Sequence, residues 1–141
     1  MTDYSEEQRR TLGQAVVHTL DEWGLSAEDI IAVLALPEKT RTRHVEKYRQ
    51  GSAALPDDEA IFKRVEHLAG IADALRTTYP LNRKVGLIWL RSPHRRFRRR
   101  SPLQVIVDEG IDGLIRVRSE VDCAWSWQLT QGPDSGQTPT G

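Results

Sequence analysis

Between Trp89 and Asp122 the chain reads WLRSPHRRFRRRSPLQVIVDEGIDGLIRVRSEVD. Here one helix has to end, a short loop has to form and two further helical pieces have to start. Trp89 and Leu90 close the first helix. Pro93 disfavours helical backbone at Ser92, because its ring crowds the residue before it. Ser101-Pro102 is a helix opening: the serine can accept from an unsatisfied N–H, and the proline lacks only an N–H that the first turn leaves unpaired. Gly110 suits the position just past a helix C-terminus and Asp112 can cap the helix that follows, so Gly110 to Gly113 reads as a break. The ten positions 91–100 hold Arg91, Arg95, Arg96, Arg98, Arg99 and Arg100, with Phe97 alone interrupting their polarity near the centre of the loop. A solvated charge run, the competing reading, needs neither bounding prolines nor an aromatic residue. The segment therefore reads as an ordered loop that Phe97 anchors on the core and that presents a recognition surface.

The rest of the chain is helical in pattern. Leu12, Val16, Leu20 and Trp23 recur at four, four and three residues, one face of a helix that Gly24 ends. Ser26-Ala-Glu-Asp29 is a capping-box-like start, with Asp29 in place of the commoner Glu. Ile30, Ile31, Val33, Leu34 and Leu36 then make a short buried helix stopped before Pro37. A third helix is predicted from Thr40 to Gln50, ended by Gly51. Pro56-Asp-Asp-Glu opens a long helix whose stripe is Ile61, Val65, Leu68, Ala72 and Leu75. Helices from Asn82 to Leu90, Leu103 to Asp108 and Asp112 to Trp127 complete the pattern. In the last of these, Ile111, Leu114, Val117, Val121 and Trp125 are expected to pack under Trp89 and Phe97. The final residues, TQGPDSGQTPTG, lack apolar groups and read as a flexible tail. The fold class is all-α.

At 141 residues, 38% of them hydrophobic, the chain can build one core or two small ones. Twenty basic residues balance twenty acidic ones, so no overall attraction to nucleic acid or membrane follows. Local fields matter more: residues 39–49 and 91–100 are basic, while 57–59 and 108–112 are acidic. A lone cysteine, Cys123, excludes an internal disulfide framework and fits a reducing cytosol. No apolar run approaches the roughly 18–20 residues of a membrane span, and the N-terminus has no signal-peptide pattern. A cytoplasmic protein is expected.

Two basic constellations offer binding chemistry. Around the Leu36-Pro37-Glu38 turn, two short helices have the dimensions of a helix-turn-helix, in which the second helix enters the major groove of DNA. Lys39, Thr40, Arg41, Thr42, Arg43 and Lys47 then lie near its N-terminal half, as donors for phosphate oxygens and guanine edges. The same residues fit an amphipathic helix with a solvated basic face. Ala35 stands where such turns often have glycine, and Arg41 where many such helices bury an apolar residue. In the second constellation, clustered arginines suit bidentate pairing with phosphate, so nucleic-acid backbone, an acidic protein and an anionic dinucleotide-binding pocket on a partner are all candidate targets. Catalysis finds little support. His18, His44, His67 and His94 are scattered, Cys123 has no thiol companion, no spacing matches zinc, and there is no glycine-rich phosphate loop. No metal and no cofactor are expected.

Taken in order, Trp89, Leu90, Pro93, Phe97, Pro102, Leu103, Ile106, Gly110 and Val117 resemble the toxin-binding domain of the Xre/MbcA/ParS antitoxins. Their pattern runs Trp-Leu, two residues, Pro-Asn, an apolar residue, a glycine pair, Pro-Leu, a short apolar helix, Gly, then Val and Leu at helical spacing. Upstream, Leu36-Pro37, Thr40, Arg43, Leu55, Glu59 and Leu68 are similar to their helix-turn-helix half. The resemblance covers about residues 25–128. It departs where the usual Asn is His94 and where the glycine pair is Arg98-Arg99, which removes an easy site for positive φ. It implies a helix-turn-helix-like region over 1–80, a toxin-binding domain over 81–129 and a tail over 130–141. It further implies a homodimeric antitoxin that binds promoter DNA, represses its own operon and neutralises a RES-type toxin that consumes NAD. The cofactor would then belong to the toxin. Toxin-facing residues on this reading are Arg91, His94, Arg95, Arg96, Arg98, Arg99 and Arg100, held by a frame of Trp89, Pro93, Phe97, Pro102, Gly110 and Val117. A stand-alone helix-turn-helix regulator and an arginine-loop nucleic-acid binder are the alternatives.

Overall fold

The computed structural model describes residues 4–131, with side chains as far as Cys123. Among them are seven α-helices and one short 3-10 turn, with no strand. The expected all-α class is what is observed. Two compact units are distinguished, Met1–Ala69 and Gly70–Gly141, and the chain passes from one to the other within its fourth helix.

The first unit contains α1 (Glu6–Glu22), α2 (Ala27–Leu34), α3 (Thr42–Gln50) and the start of α4 (Glu59–Thr78). Ser5 caps α1 by accepting from the Gln8 N–H while Gln8 accepts from the Ser5 N–H. Ser26 caps α2 through the Asp29 N–H at 3.1 Å, as its sequence pattern predicts. The core is built from Val17, Leu20, Ile30, Val33, Leu34, Val45, Leu55 and Ile61, all fully buried. Each such side chain contributes about 1.5–3 kcal/mol by leaving water. Val17 is a core residue that the predicted stripe omits, whereas Leu12 and Ile31 are only half-buried. Arg49 joins α3 to α1 through both oxygens of Asp21, at 2.7 and 3.0 Å. Arg9 reaches the Leu55 carbonyl at 2.8 Å, tying down the connection before α4.

Several predicted boundaries move. Helix α3 begins at Thr42 and not at Thr40, because the Arg41 backbone N–H is bound by His44 Nδ1 at 2.9 Å and Arg41 keeps an extended backbone. Helix α4 begins at Glu59. Asp58, not Pro56, opens it, its side chain accepting from the Ala60 N–H at 2.9 Å. The α4 stripe includes Phe62, Ile71 and Ala74, while Ala72 is half-buried.

The second unit contains the end of α4, α5 (Arg83–Arg91), the 3-10 turn Arg95–Phe97, α6 (Pro102–Glu109) and α7 (Ile111–Gln131). Asn82 caps α5 through the Lys84 N–H, and Ser101 caps α6 through the Gln104 N–H at 3.1 Å, with Pro102 in the first turn as expected. Gly110 follows α6 at φ 62, ψ −129, a conformation that glycine alone adopts without strain. Asp112 does not cap α7: it lies inside the first turn, and Gly110 supplies the carbonyl that starts the ladder by accepting from the Leu114 N–H. Gly113 is likewise no break. It is the point where α7 approaches α6 so closely that an added Cβ would meet the Val105 carbonyl oxygen at 2.3 Å. Leu90, Val105, Ile106, Leu114, Val117 and Val121 form the core of this unit, with Ile111 at its edge. Thr130 and Gln131, expected in the tail, belong to α7. The remainder of that expected tail and the side chain of Trp125 lie outside the described residues.

Candidate partner-binding site

The arginine loop is closed by its own backbone. The His94 N–H donates to the Arg100 carbonyl at 3.1 Å, and the Arg99 N–H donates back to the His94 carbonyl at 2.9 Å. Within that clasp, the N–H groups of Phe97, Arg98 and Arg100 donate to His94, Arg95 and Phe97 at about 3 Å each. The amides of residues 97–100 are thus all used internally, and none is left to cradle an anion.

Phe97 is 2% exposed and anchors the turn, as its position predicts. Around it, the His94 ring stands edge-on at 6.4 Å, and the Arg116 guanidinium of α7 sits over the Phe97 face at 5.6 Å. His94 also lies 5.3 Å from the Trp89 ring and hydrogen-bonds the Trp89 carbonyl through Nε2 at 2.9 Å. A carbonyl only accepts, so Nε2 carries the proton, and it shares the Trp89 carbonyl with the Ser92 N–H, which reaches it at 3.3 Å at the end of α5. Trp89 itself is half-buried, less enclosed than its place in the pattern suggests. Pro102, Val117 and Leu103 are buried, and Pro93 is exposed at the loop entrance.

Arg98 and Arg99 adopt φ 55 and 65, the left-handed region that favours glycine. The resembled pattern has its glycine pair at these two positions. The loop therefore keeps a glycine-type backbone with arginine side chains, at a cost of roughly 1–2 kcal/mol per residue. Such strain persists only where surrounding structure enforces it. Here the enforcement is the His94–Arg100 clasp and the buried Phe97.

The arginines divide into two groups. Arg96 pairs with Glu120 of α7 at 3.0 Å. Arg100 reaches Glu109 at 2.5 Å and Asp108 at 3.5 Å at the end of α6, and Arg116 reaches the same Glu109 at 2.7 and 2.9 Å. Clasped first by Arg116 and then by Arg100, the Glu109 carboxyl is held below its ordinary range, while hydrogen bonding to Glu109 holds Arg100 charged. These two arginines fasten the loop to the helices behind it. By contrast Arg95, Arg98 and Arg99 are exposed and form no ion pair among the described residues. Arg91 is exposed at the end of α5. Sequence reasoning groups all seven positions as one surface. The partners that divide them, Asp108, Glu109, Arg116 and Glu120, lie eight to twenty-four residues away, and only a fold brings them in.

In the first unit, Thr42, Arg43 and Lys47 are exposed on α3, with Arg41 exposed at its start. Lys39 and half-buried Thr40 precede the helix, in the turn after α2. Seven residues, 35–41, separate α2 from α3, more than the three or four usual in a helix-turn-helix. Ala35 holds φ 52 at the start of that turn, the left-handed geometry for which glycine is common. No group of three or more His, Cys, Asp or Glu side chains that could hold a metal occurs among the described residues, and no helix there is long and apolar enough to cross a membrane.

No protein-family model matches the chain. It is 28% identical over 109 residues to the uncharacterized protein y4oB of Sinorhizobium fredii, covering 77% of this chain and 80% of that one. In fold it is similar to a chain in the crystal structure of the M. tuberculosis MbcT–MbcA toxin–antitoxin complex, with a TM-score of 0.54 and 23% sequence identity. That likeness covers 82% of this chain and 95% of the other, and it is a likeness of fold.

Proposed function

We propose that this chain is the antitoxin of a type II toxin–antitoxin pair, that it binds and neutralises a RES-type, NAD-consuming toxin, and that the 94–100 loop faces that toxin. The observation that carries the reading is the loop itself: a left-handed backbone at Arg98 and Arg99, where the resembled antitoxins have glycines, built on a buried Phe97 within a fold shared with a chain of a toxin–antitoxin complex. Within the 81–129 region assigned to toxin binding, Arg95, Arg98 and Arg99 make the contact. Arg96, Arg100 and His94 hold the loop in shape, and Arg91 lies at its margin. The chain itself performs no catalysis and needs no cofactor in this role.

Co-expression with the toxin encoded beside it tests the proposal. Recovery of a complex, and suppression of NAD consumption by the chain, are expected. Unchanged toxicity with no complex recovered refutes it. Autorepression is the second part of the proposal and rests on Lys39, Thr40, Arg41, Thr42, Arg43 and Lys47. Contacts to phosphate make affinity fall steeply with salt, so promoter binding is measured at two salt concentrations for wild type and Arg41→Ala/Arg43→Ala. Equal binding by the double mutant removes this face from the contact.

A further inference from the structure

We propose that the outer face of α5 is a protein-docking surface whose occupant is an apolar ridge flanked by carboxylates on the toxin, and not a second copy of this chain. The identity of the partner rests on the antitoxin reading above; the surface and its chemistry are read from α5.

Helix α5 is apolar on two sides. Gly86 and Leu90 face the core and are buried. Val85 and Ile88, three residues apart, line up on another side and are 37% and 63% exposed, and Leu81, two residues before the helix, is 99% exposed. Beside them Lys84, Leu87, Ile88, Arg91 and Ser92 line a shallow depression. Single exposed apolar residues are ordinary on protein surfaces, but an aligned row beside a depression marks a contact surface. Covering the row releases the water held against it.

Charge decides what covers it. Helix α5 carries Arg83, Lys84 and Arg91 with no acidic residue, and residues 92–101 add five more arginines and again no acid. Residues 70–141 as a whole hold eleven basic against seven acidic side chains. In a two-fold dimer the same patch meets itself, so Lys84 and the unpaired Arg95, Arg98 and Arg99 would be brought towards their own copies. Like-charge juxtaposition of this kind discriminates against a partner. Size points the same way. Nine helical residues span only about 13–14 Å, so one face of α5 cannot by itself supply the roughly 800 Å² that each side of a stable interface buries. The contact has to spread beyond α5, and the chain leads from α5 directly into the arginine loop. For a self-pair that extension adds repulsion; for a partner with Asp and Glu around its apolar residues it adds attraction.

The test uses the full chain and the toxin encoded beside it, with affinity measured by titration calorimetry and stability by thermal melting. Ile88→Glu removes exposed apolar area and sets a carboxylate towards carboxylates, so affinity is expected to fall at least tenfold with an unchanged melt. Lys84→Glu should weaken binding in the same direction, and Ile88→Met should bind like wild type. If wild type binds the toxin and Ile88→Glu binds equally well, the α5 proposal is overturned while the antitoxin reading stands. If wild type does not bind, the antitoxin reading fails and the partner named here falls with it. Sedimentation of the chain alone supplies the last outcome. Self-association that Ile88→Glu abolishes would place a second copy on this face, whether two-fold or head-to-tail through the acid-leaning residues 1–69, and would overturn the proposal.

Discussion

Replacing Arg98 and Arg99 by glycine should make the protein more stable while it loses function. Both residues are exposed, have no ion-pair partner among the described residues and sit at φ 55 and 65. Their substitution therefore removes strain without removing packing. Left-handed backbone costs a non-glycine residue roughly 1–2 kcal/mol. Glycine returns about 0.5–1 kcal/mol of that through the greater freedom of the unfolded chain. The balance is about 0.5–1 kcal/mol per position, or about 1–2 kcal/mol for the pair. At about 2–4 °C per kcal/mol for a chain somewhat longer than this one, the melting temperature should rise by about 2–8 °C. Arg95 is the internal control. It is equally exposed but lies in the 3-10 turn and is not a positive-φ residue, so Arg95→Gly relieves nothing and should lower the melt. Thermal unfolding followed by far-UV circular dichroism reads both signs, and an NAD-consumption assay with the toxin reads the functional loss. A double glycine variant that melts below wild type, alongside Arg95→Gly, refutes the strain argument. One that melts higher yet inhibits the toxin fully keeps the strain argument and removes these two arginines from the contact.

Phe97→Ala should cost about 3–5 kcal/mol, as a fully enclosed aromatic does, whereas half-buried Trp89→Ala should cost clearly less; urea titrations of the two variants compare them directly. Gly113→Ala, which drives a methyl group into the Val105 carbonyl, should be among the most damaging single changes in α7, and Gly51→Ala is a milder comparison, since the atoms it meets belong to the flexible Gln14 side chain and its φ of 76 is the main penalty. Glu109 has a depressed folded-state pKa, so the stability it contributes is present above the ordinary carboxylate range and is lost as pH falls through its lower, folded value. An acid titration of the melting temperature should show this, and Glu109→Gln should lie below wild type at neutral pH and converge with it in acid.

Local signals in the sequence carried much of the fold. The serine caps at Ser26 and Ser101, the first-turn proline Pro102 and the glycine Gly110 each act through atoms within four residues, and each falls where its pattern places it. Phe97 was legible as an anchor because a lone apolar residue among arginines has one place to go. Some positions are misread because a distant group competes. Gly113 serves a helix–helix approach that no local pattern announces, whereas the start of α3 moves through a local bond, the Arg41 N–H to the His44 ring three residues on. The arginine run looked uniform because its division depends on Glu109 and Glu120, carboxylates on other helices.

The loop's conformation follows from closure and not from residue preference. Two left-handed arginines oppose it by about 2–4 kcal/mol. Burial of Phe97 returns about 1.5–3 kcal/mol, and each of the five backbone hydrogen bonds among residues 94–100 adds about 0.5–1.5 kcal/mol. Positions 98 and 99 keep their left-handed geometry with arginine in place of glycine. Shape is then set by Phe97, the His94–Arg100 clasp and the Glu109 tether, and the exposed side chains are left to set chemistry. Glycine at 98 and 99 would present bare backbone whose amides are already bonded; arginine presents two cations on a rigid turn. Arginine at these positions thus trades backbone strain for two exposed cations.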